Sequence, residues 1–106
     1  MQFQLGSGFL DACVLAVVAQ EDTYGYSLTQ RIKGVFDISE STLYPVLRRL
    51  QKEACLSTYD KPFQGRNRRY YRVTDTGIGR LEDYRRDWQI YKNQIDLFLD
   101  GGESHE

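Results

Sequence analysis

What this 106-residue chain has little of closes several routes to function. It holds a single histidine, His105, six letters of tail composition (GGESHE) after Asp100, and no phosphate-cradling glycine loop. No nucleophile stands near a plausible base. Glu82 and Asp83 are sequence neighbours on a predicted helix and point apart, so no carboxylate pair converges. Catalysis therefore finds no support, and no cofactor is expected. The two cysteines, Cys13 and Cys55, sit in apolar stretches without CxxC or Cys/His spacing, which argues against zinc and predicts buried thiols. No apolar run approaches the ~20 residues that cross a bilayer. The first stretch, MQFQLGSGFLDACVLAVVAQ, has neither a basic n-region nor a convincing cleavage site, so the expected location is the cytoplasm.

What is present is a sorted charge. Between Ser39 and Arg72 the chain carries eight Lys/Arg against three Asp/Glu, a net of +5, while the other residues carry six against twelve, a net of −6. A local positive field acts over roughly a Debye length of ~8 Å whatever the total charge, so this segment marks where a polyanion settles. At this length the chain forms one core with little room for an enclosed site. Its eight tyrosines fit a protein rich in interfaces.

The order of elements gives the segment a shape. Phe9 to Gln20 is apolar on nearly every face and reads as a central helix; Thr23 caps a second helix, Tyr24 to Lys33, ended by Gly34. Ser39 is a good N-cap for a third helix reaching about Ala54, with Leu43, Leu47, Leu50 and Ala54 turned to the core. The outward side then carries Ser41, Pro45, Arg48, Arg49 and Lys52, flanked by Thr42 and Tyr44, and Pro45 should make the helix irregular. Leu56 to Lys61 and Arg68 to Thr74 read as strands around a PFQGRN turn, a hairpin with a basic tip, after which Thr74 or Asp75 caps a long last helix.

Three helices followed by a two-stranded hairpin is the order of a winged helix-turn-helix: mainly α, with a β-hairpin wing. In that fold the third helix enters the major groove and the hairpin tip touches the backbone or minor groove. Arg48, Arg49 and Lys52 reach phosphates or base edges, Ser41, Thr42 and Tyr44 supply short hydrogen-bonding groups, and Arg66, Arg68, Arg69 and Arg72 charge the wing. Charge runs are usually no more than solvated faces. Here two elements that the fold makes adjacent carry the same sign, which favours a duplex DNA partner.

The residues also resemble a family. TYGYSLTQRI (Thr23 to Ile32), SESTLYPVLRRLQKEACL (Ser39 to Leu56) and RNRRYYRVTDTGIGRL (Arg66 to Leu81) are similar to the three signature stretches of the PadR family of bacterial transcriptional regulators, in order and spacing. The resemblance implies a winged-helix homodimer that usually represses, with Tyr24, Tyr26, Ser41 to Tyr44 and the wing arginines at or near DNA. Two departures stand out. Glu53-Ala54-Cys55-Leu56 lacks the glycine of the family's E-x-G-L-I turn, which leaves the helix-to-strand corner open. The short last part is similar to the family's small-C-terminal branch.

On the last helix Leu81, Tyr84, Trp88, Tyr91, Ile95 and Phe98 are spaced 3, 4, 3, 4, 3, the rhythm of a helix seeking another helix. Those 18 residues span ~27 Å, longer than a small head covers, so part of the stripe is expected on a second copy and Leu81 and Tyr84 are the members with a rival place on their own domain. Trp88 is the sole tryptophan. The resemblance implies that it lines a chamber between subunits and stacks on a small aromatic effector; a plain interface or core Trp is the equal alternative, with Arg85 and Lys92 one turn to either side. The expected organisation is a DNA-binding domain over 1–74, a dimerisation helix over 75–100 and a frayed tail over 101–106. The expected function is a ligand-responsive, sequence-specific repressor. The rival from another class is a winged-helix adaptor that joins proteins without gripping an operator.

Overall fold

The computed structural model describes residues 8–101. The elements run α1 (Phe9–Gln20), β1 (Thr23–Tyr24), α2 (Gly25–Lys33), α3 (Glu40–Lys52), β2 (Leu56–Phe63), β3 (Arg66–Val73) and α4 (Asp75–Leu99). The architecture is mostly helical with a three-stranded antiparallel sheet in the order β1-β3-β2. The tail beyond residue 101, with His105, lies outside the described residues.

The core is assembled from Val14, Leu15 and Val18 of α1, Leu28 and Ile32 of α2, Leu43, Val46, Leu47 and Leu50 of α3, Cys55 and Leu56 at the corner, and Leu81 of α4. α1 sits in the middle, as its all-round apolar sequence predicts. Of the two thiols Cys55 is fully buried but Cys13 only partly, and burial pushes the Cys13 thiol up.

The sheet holds an element the sequence reading lacks. Thr23 does not cap α2: its hydroxyl donates to the Glu21 carbonyl, and Thr23 and Tyr24 pair with Tyr71 and Tyr70 as a short third strand. The hairpin is also longer than expected. β2 and β3 pair from Leu56↔Val73 to Phe63↔Arg66, leaving only Gln64 and Gly65 in the turn. Both have positive φ, 51° and 78°, the requirement of the type I′ turn whose twist matches a hairpin.

α3 ends two residues before the expected Ala54, and the reason is a complete Schellman motif. The Cys55 N–H donates to the Leu50 carbonyl and the Ala54 N–H to the Gln51 carbonyl, with Ala54 in the left-handed region at φ 62°. The corner that lacks glycine thus keeps a glycine-type turn and places an alanine in it. α3 continues through Pro45, which has no N–H to give the Ser41 carbonyl one turn back. Ser39 occupies the N-cap position, but its hydroxyl bonds those of Ser41 (2.8 Å) and Thr42 (3.1 Å) rather than a backbone N–H.

α4 starts on a working cap, with Thr74 Oγ1 accepting from the Gly77 N–H at 3.0 Å while donating to the Ala54 carbonyl. Gly77 lies so close to the corner that an added Cβ would run into the Cys55 carbonyl. Arg80 pairs with Glu53. The first turns of α4 are therefore fastened to the end of α3. No helix among the described residues is long and apolar enough to cross a membrane.

Candidate nucleic-acid interface

The outward face of α3 follows from its stripe. With Leu43, Val46, Leu47 and Leu50 buried, Ser41, Thr42, Tyr44, Pro45, Arg48, Arg49 and Lys52 are all exposed. The neighbouring wing supplies the next cations. Helix and wing meet at Tyr71, whose phenol is pushed up first by burial, then down by the charge of Arg69, up by the phenol of Tyr44 and down by the charge of Arg48. This half-buried ring thus has one cation from each element near it, Arg48 of α3 and Arg69 of the wing.

The eight cations of the segment are not equivalent. Arg49 is the main departure from expectation: its guanidinium forms a fork with the carboxylate of Asp11 on α1, at 2.6 and 2.7 Å. Asp11 is only 3% exposed and also accepts from the Tyr84 hydroxyl of α4 at 3.3 Å. This pairing raises the Arg49 pKa, chiefly through the hydrogen bond, and Tyr84 is raised by burial and by the Asp11 charge. A buried carboxylate needs a partner, and Arg49 is the residue that reaches it. Arg49 is thereby committed to joining α1, α3 and α4.

Arg72 lies 3.3 Å from Asp22, which also accepts from the Tyr59 hydroxyl at 2.7 Å, and Arg69 lies a loose 3.7 Å from exposed Asp60. Among the described residues no carboxylate pairs with Arg48, Lys52, Lys61, Arg66 or Arg68. Lys61 is a member that the sequence reading passed over, although it stands directly opposite Arg68 in the ladder.

Since paired residues share a face, Tyr59, Lys61 and Phe63 of β2, Arg66, Arg68, Tyr70 and Arg72 of β3 and Tyr24 of β1 lie on one side of the sheet. Leu56, Tyr71 and Val73 lie on the side facing the core. On the outer side cations and rings interleave. Arg68 sits 3.6 Å from the Phe63 ring centre and 4.4 Å from that of Tyr24; Lys61 lies over Tyr70, and Arg72 over Tyr59. Tyr59 and Tyr70 stack at 5.6 Å, while Tyr24 stands 6.0 Å from Tyr70 and 6.4 Å from exposed Tyr26. Phe63 belongs to this group, and the signal for it was its place two residues before the glycine of the turn.

The expected dimerisation stripe divides. Leu81 is buried in its own head and Tyr84 packs there and bonds Asp11, so these two do not belong to an exposed seam; the head supplies cover for both. Trp88 is 50% exposed and Phe98 83%, Tyr91 is exposed, and Ile95 is half-buried. Trp88 tilts against Tyr91 at 5.9 Å, and Lys92 is engaged by Asp96. Ile90, Leu97 and Leu99 are exposed as well, so the distal apolar surface is broader than the regular spacing implied.

A basic helix face beside a cationic hairpin, built on a three-helix core, defines a winged-helix protein. Residues 14–83 match the transcriptional regulator PadR-like family, and the chain belongs to it. The structure is similar to that of smu.1704 from Streptococcus mutans UA159, at 40% identity over the whole of both chains with a TM-score of 0.88. A PadR-like transcriptional regulator from Bacillus cereus is 33% identical over 89% of this chain and 94% of its own, with a TM-score of 0.81. The transcriptional regulator Rv3488 of Mycobacterium tuberculosis is 32% identical over 87% of this chain and 83% of its own. The family is one of DNA-binding transcriptional regulators, not of enzymes.

Proposed function

We propose that this regulator is a cytoplasmic homodimeric repressor whose two heads grip a short pseudo-palindromic operator. Arg48 and Lys52 of α3 take phosphates or base edges, with Ser41, Thr42 and Tyr44 beside them; Arg66, Arg68 and Arg69 of the wing, and Tyr24 and Tyr26, take the adjoining backbone. Arg49 leaves that set. The carrying observation is the distribution of partners: Arg49 is bound to Asp11, while Arg48 and Lys52 on the same helix have no carboxylate partner among the described residues, and Arg48 shares the surroundings of Tyr71 with Arg69 of the wing. A two-fold dimer places its recognition helices about 34 Å apart, one turn of duplex.

Dimerisation in this reading falls to the distal half of α4, through Trp88, Tyr91, Ile95 and Phe98. Rings of this size left at 50% and 83% exposure are supported by a second helix rather than by water. Trp88 is also the proposed contact for a flat aromatic effector, which would act only by binding the DNA-competent and incompetent dimers unequally.

The test is a gel-shift and anisotropy titration with duplex from upstream of the gene. Wild type should bind a specific duplex with log Kd rising linearly in log salt, by about 0.9 per phosphate neutralised. Arg48→Ala and Lys52→Ala should each weaken binding with dimerisation unchanged. Retention by both, or weak retardation blind to sequence, would instead support an adaptor. For the effector, planar aromatic cations or phenols should quench Trp88 emission saturably; absence of quenching leaves Trp88 to packing.

A further inference from the structure

Phe63 is a large apolar side chain, 41% exposed, beside the turn of a hairpin and outside the hydrophobic core. Packing does not explain it, because what lies against it is a charge. Arg68 on the central strand β3 has its guanidinium carbon 3.6 Å from the Phe63 ring centre on β2 and 4.4 Å from the Tyr24 ring centre on β1. One ring comes from each outer strand of the β1-β3-β2 sheet, and the register dictates it: Phe63 pairs with Arg66 and Tyr24 with Tyr70, the two residues that flank Arg68 on the same face.

A guanidinium is planar and carries its five N–H donors in that plane, so a ring against its flat side holds it while leaving the donor edge open. Among the described residues no hydrogen bond or ion pair occupies that edge. Arg72 shows the contrast: it also lies over a ring, Tyr59, but its donors go to Asp22. Arg66, next to the turn, shows no stacking ring among the described residues.

We propose that Phe63 is a positioning residue of the nucleic-acid surface: with Tyr24 it holds the Arg68 guanidinium in place, donors outward, as the wing's pre-set ligand for a backbone phosphate. This rests on the proposed operator binding and adds to it a division of labour within the wing. Arg68 meets phosphate with its side chain already ordered, whereas Arg66 must be ordered on binding, which weakens its contribution. Phe63 acts through Arg68 and not through contact with DNA.

The experiment is a double-mutant cycle read by anisotropy on the upstream duplex at several salt concentrations. Arg68→Ala should weaken binding about tenfold and lower the salt slope by about 0.9, one phosphate. Phe63→Leu should weaken it about threefold with the slope unchanged, because the charge remains, and Phe63→Tyr should restore binding because the ring remains. In the Arg68→Ala background Phe63→Leu should cost nothing further. Melting midpoints, expected to match wild type, separate these losses from unfolding. An equal loss from Phe63→Leu with and without Arg68 overturns the proposal, because Phe63 would then touch DNA itself. Full retention by Phe63→Leu while Arg48→Ala is impaired overturns the proposal alone; failure of wild type to bind any upstream duplex overturns it together with the function it rests on.

Discussion

The two halves of α4 carry the same apolar rhythm and meet opposite fates. From Asp75 to Tyr84 the helix is fastened to the head by the Thr74 cap, by the tight approach of Gly77 to the corner, by Arg80–Glu53, by burial of Leu81 and by the Tyr84 hydroxyl on Asp11. From Trp88 to Leu99 large rings and aliphatic side chains stand in solvent, with Phe98 83% and Leu99 71% exposed. Regular spacing announces that a helix has a face to cover but not what covers it. The first two members of the stripe are covered by their own domain, and the rest are left exposed or half-buried by it.

The largest effect that sharpens this contrast comes from exchanging the halves. Leu81→Ala should destabilise the head by about 2–5 kcal/mol, as for a buried leucine truncated in a packed core, read by denaturant unfolding. Phe98→Asp should leave the stability of the monomeric head within about 0.5 kcal/mol, as for surface changes, yet remove the dimer in sedimentation. If both behave alike, the division of α4 is wrong.

Arg48 and Arg49 make the same contrast at single-residue scale. Arg49→Ala strands the Asp11 carboxylate and should lower stability by about 1–3 kcal/mol; the cost falls short of the ~3–5 of a fully buried pair because the Arg49 side chain is 43% exposed and screened. Arg48→Ala should leave the melt in place and weaken duplex binding. Equal melting midpoints for the two variants would break the distinction.

A smaller gain is expected at the corner. Ala54 holds φ 62°, a conformation that costs an L side chain roughly 1 kcal/mol, so Ala54→Gly should raise stability by about 0.5–1 kcal/mol in equilibrium unfolding. The smallest effect is alkaline. Tyr71 and Tyr84 are raised, mainly by burial, so the folded state keeps protons that the unfolded chain gives up near pH 10. Their contribution is whole below pH ~10 and is lost as pH rises through the folded values, so the melting midpoint should fall above that pH. Tyr84→Phe should blunt the fall.

Much of this architecture is legible in the letters. The largely apolar Phe9–Gln20, the cap signal at Thr74 or Asp75 and the β-rich RRYYRV announce α1, α4 and the wing because each is encoded by local chemistry. β1 is not legible: two residues carry no strand pattern, and Thr23 and Tyr24 become a strand by pairing with β3. Pro62 and Asn67 read as turn residues, yet they pair with one another in the ladder. Arg49 looks outward because ~100° steps put it off the leucine stripe as surely as Arg48. The signal that distinguishes it lies 38 residues away, in the lone acid of an otherwise apolar helix: Asp11 cannot be buried without a cation. The outer face of the sheet escaped for a related reason, since the Phe63, Arg68 and Tyr24 group exists only once three strands are in register.

The central claim is that a cationic helix face and its wing grip DNA twice, through a dimer closed by distal α4. Hydroxyl-radical footprinting of the upstream duplex tests it most directly. The account predicts two protected patches related by a dyad and centred about 10–10.5 base pairs apart, both lost with Arg48→Ala and with Phe98→Asp. A single patch, or two that survive Phe98→Asp unchanged, would contradict it.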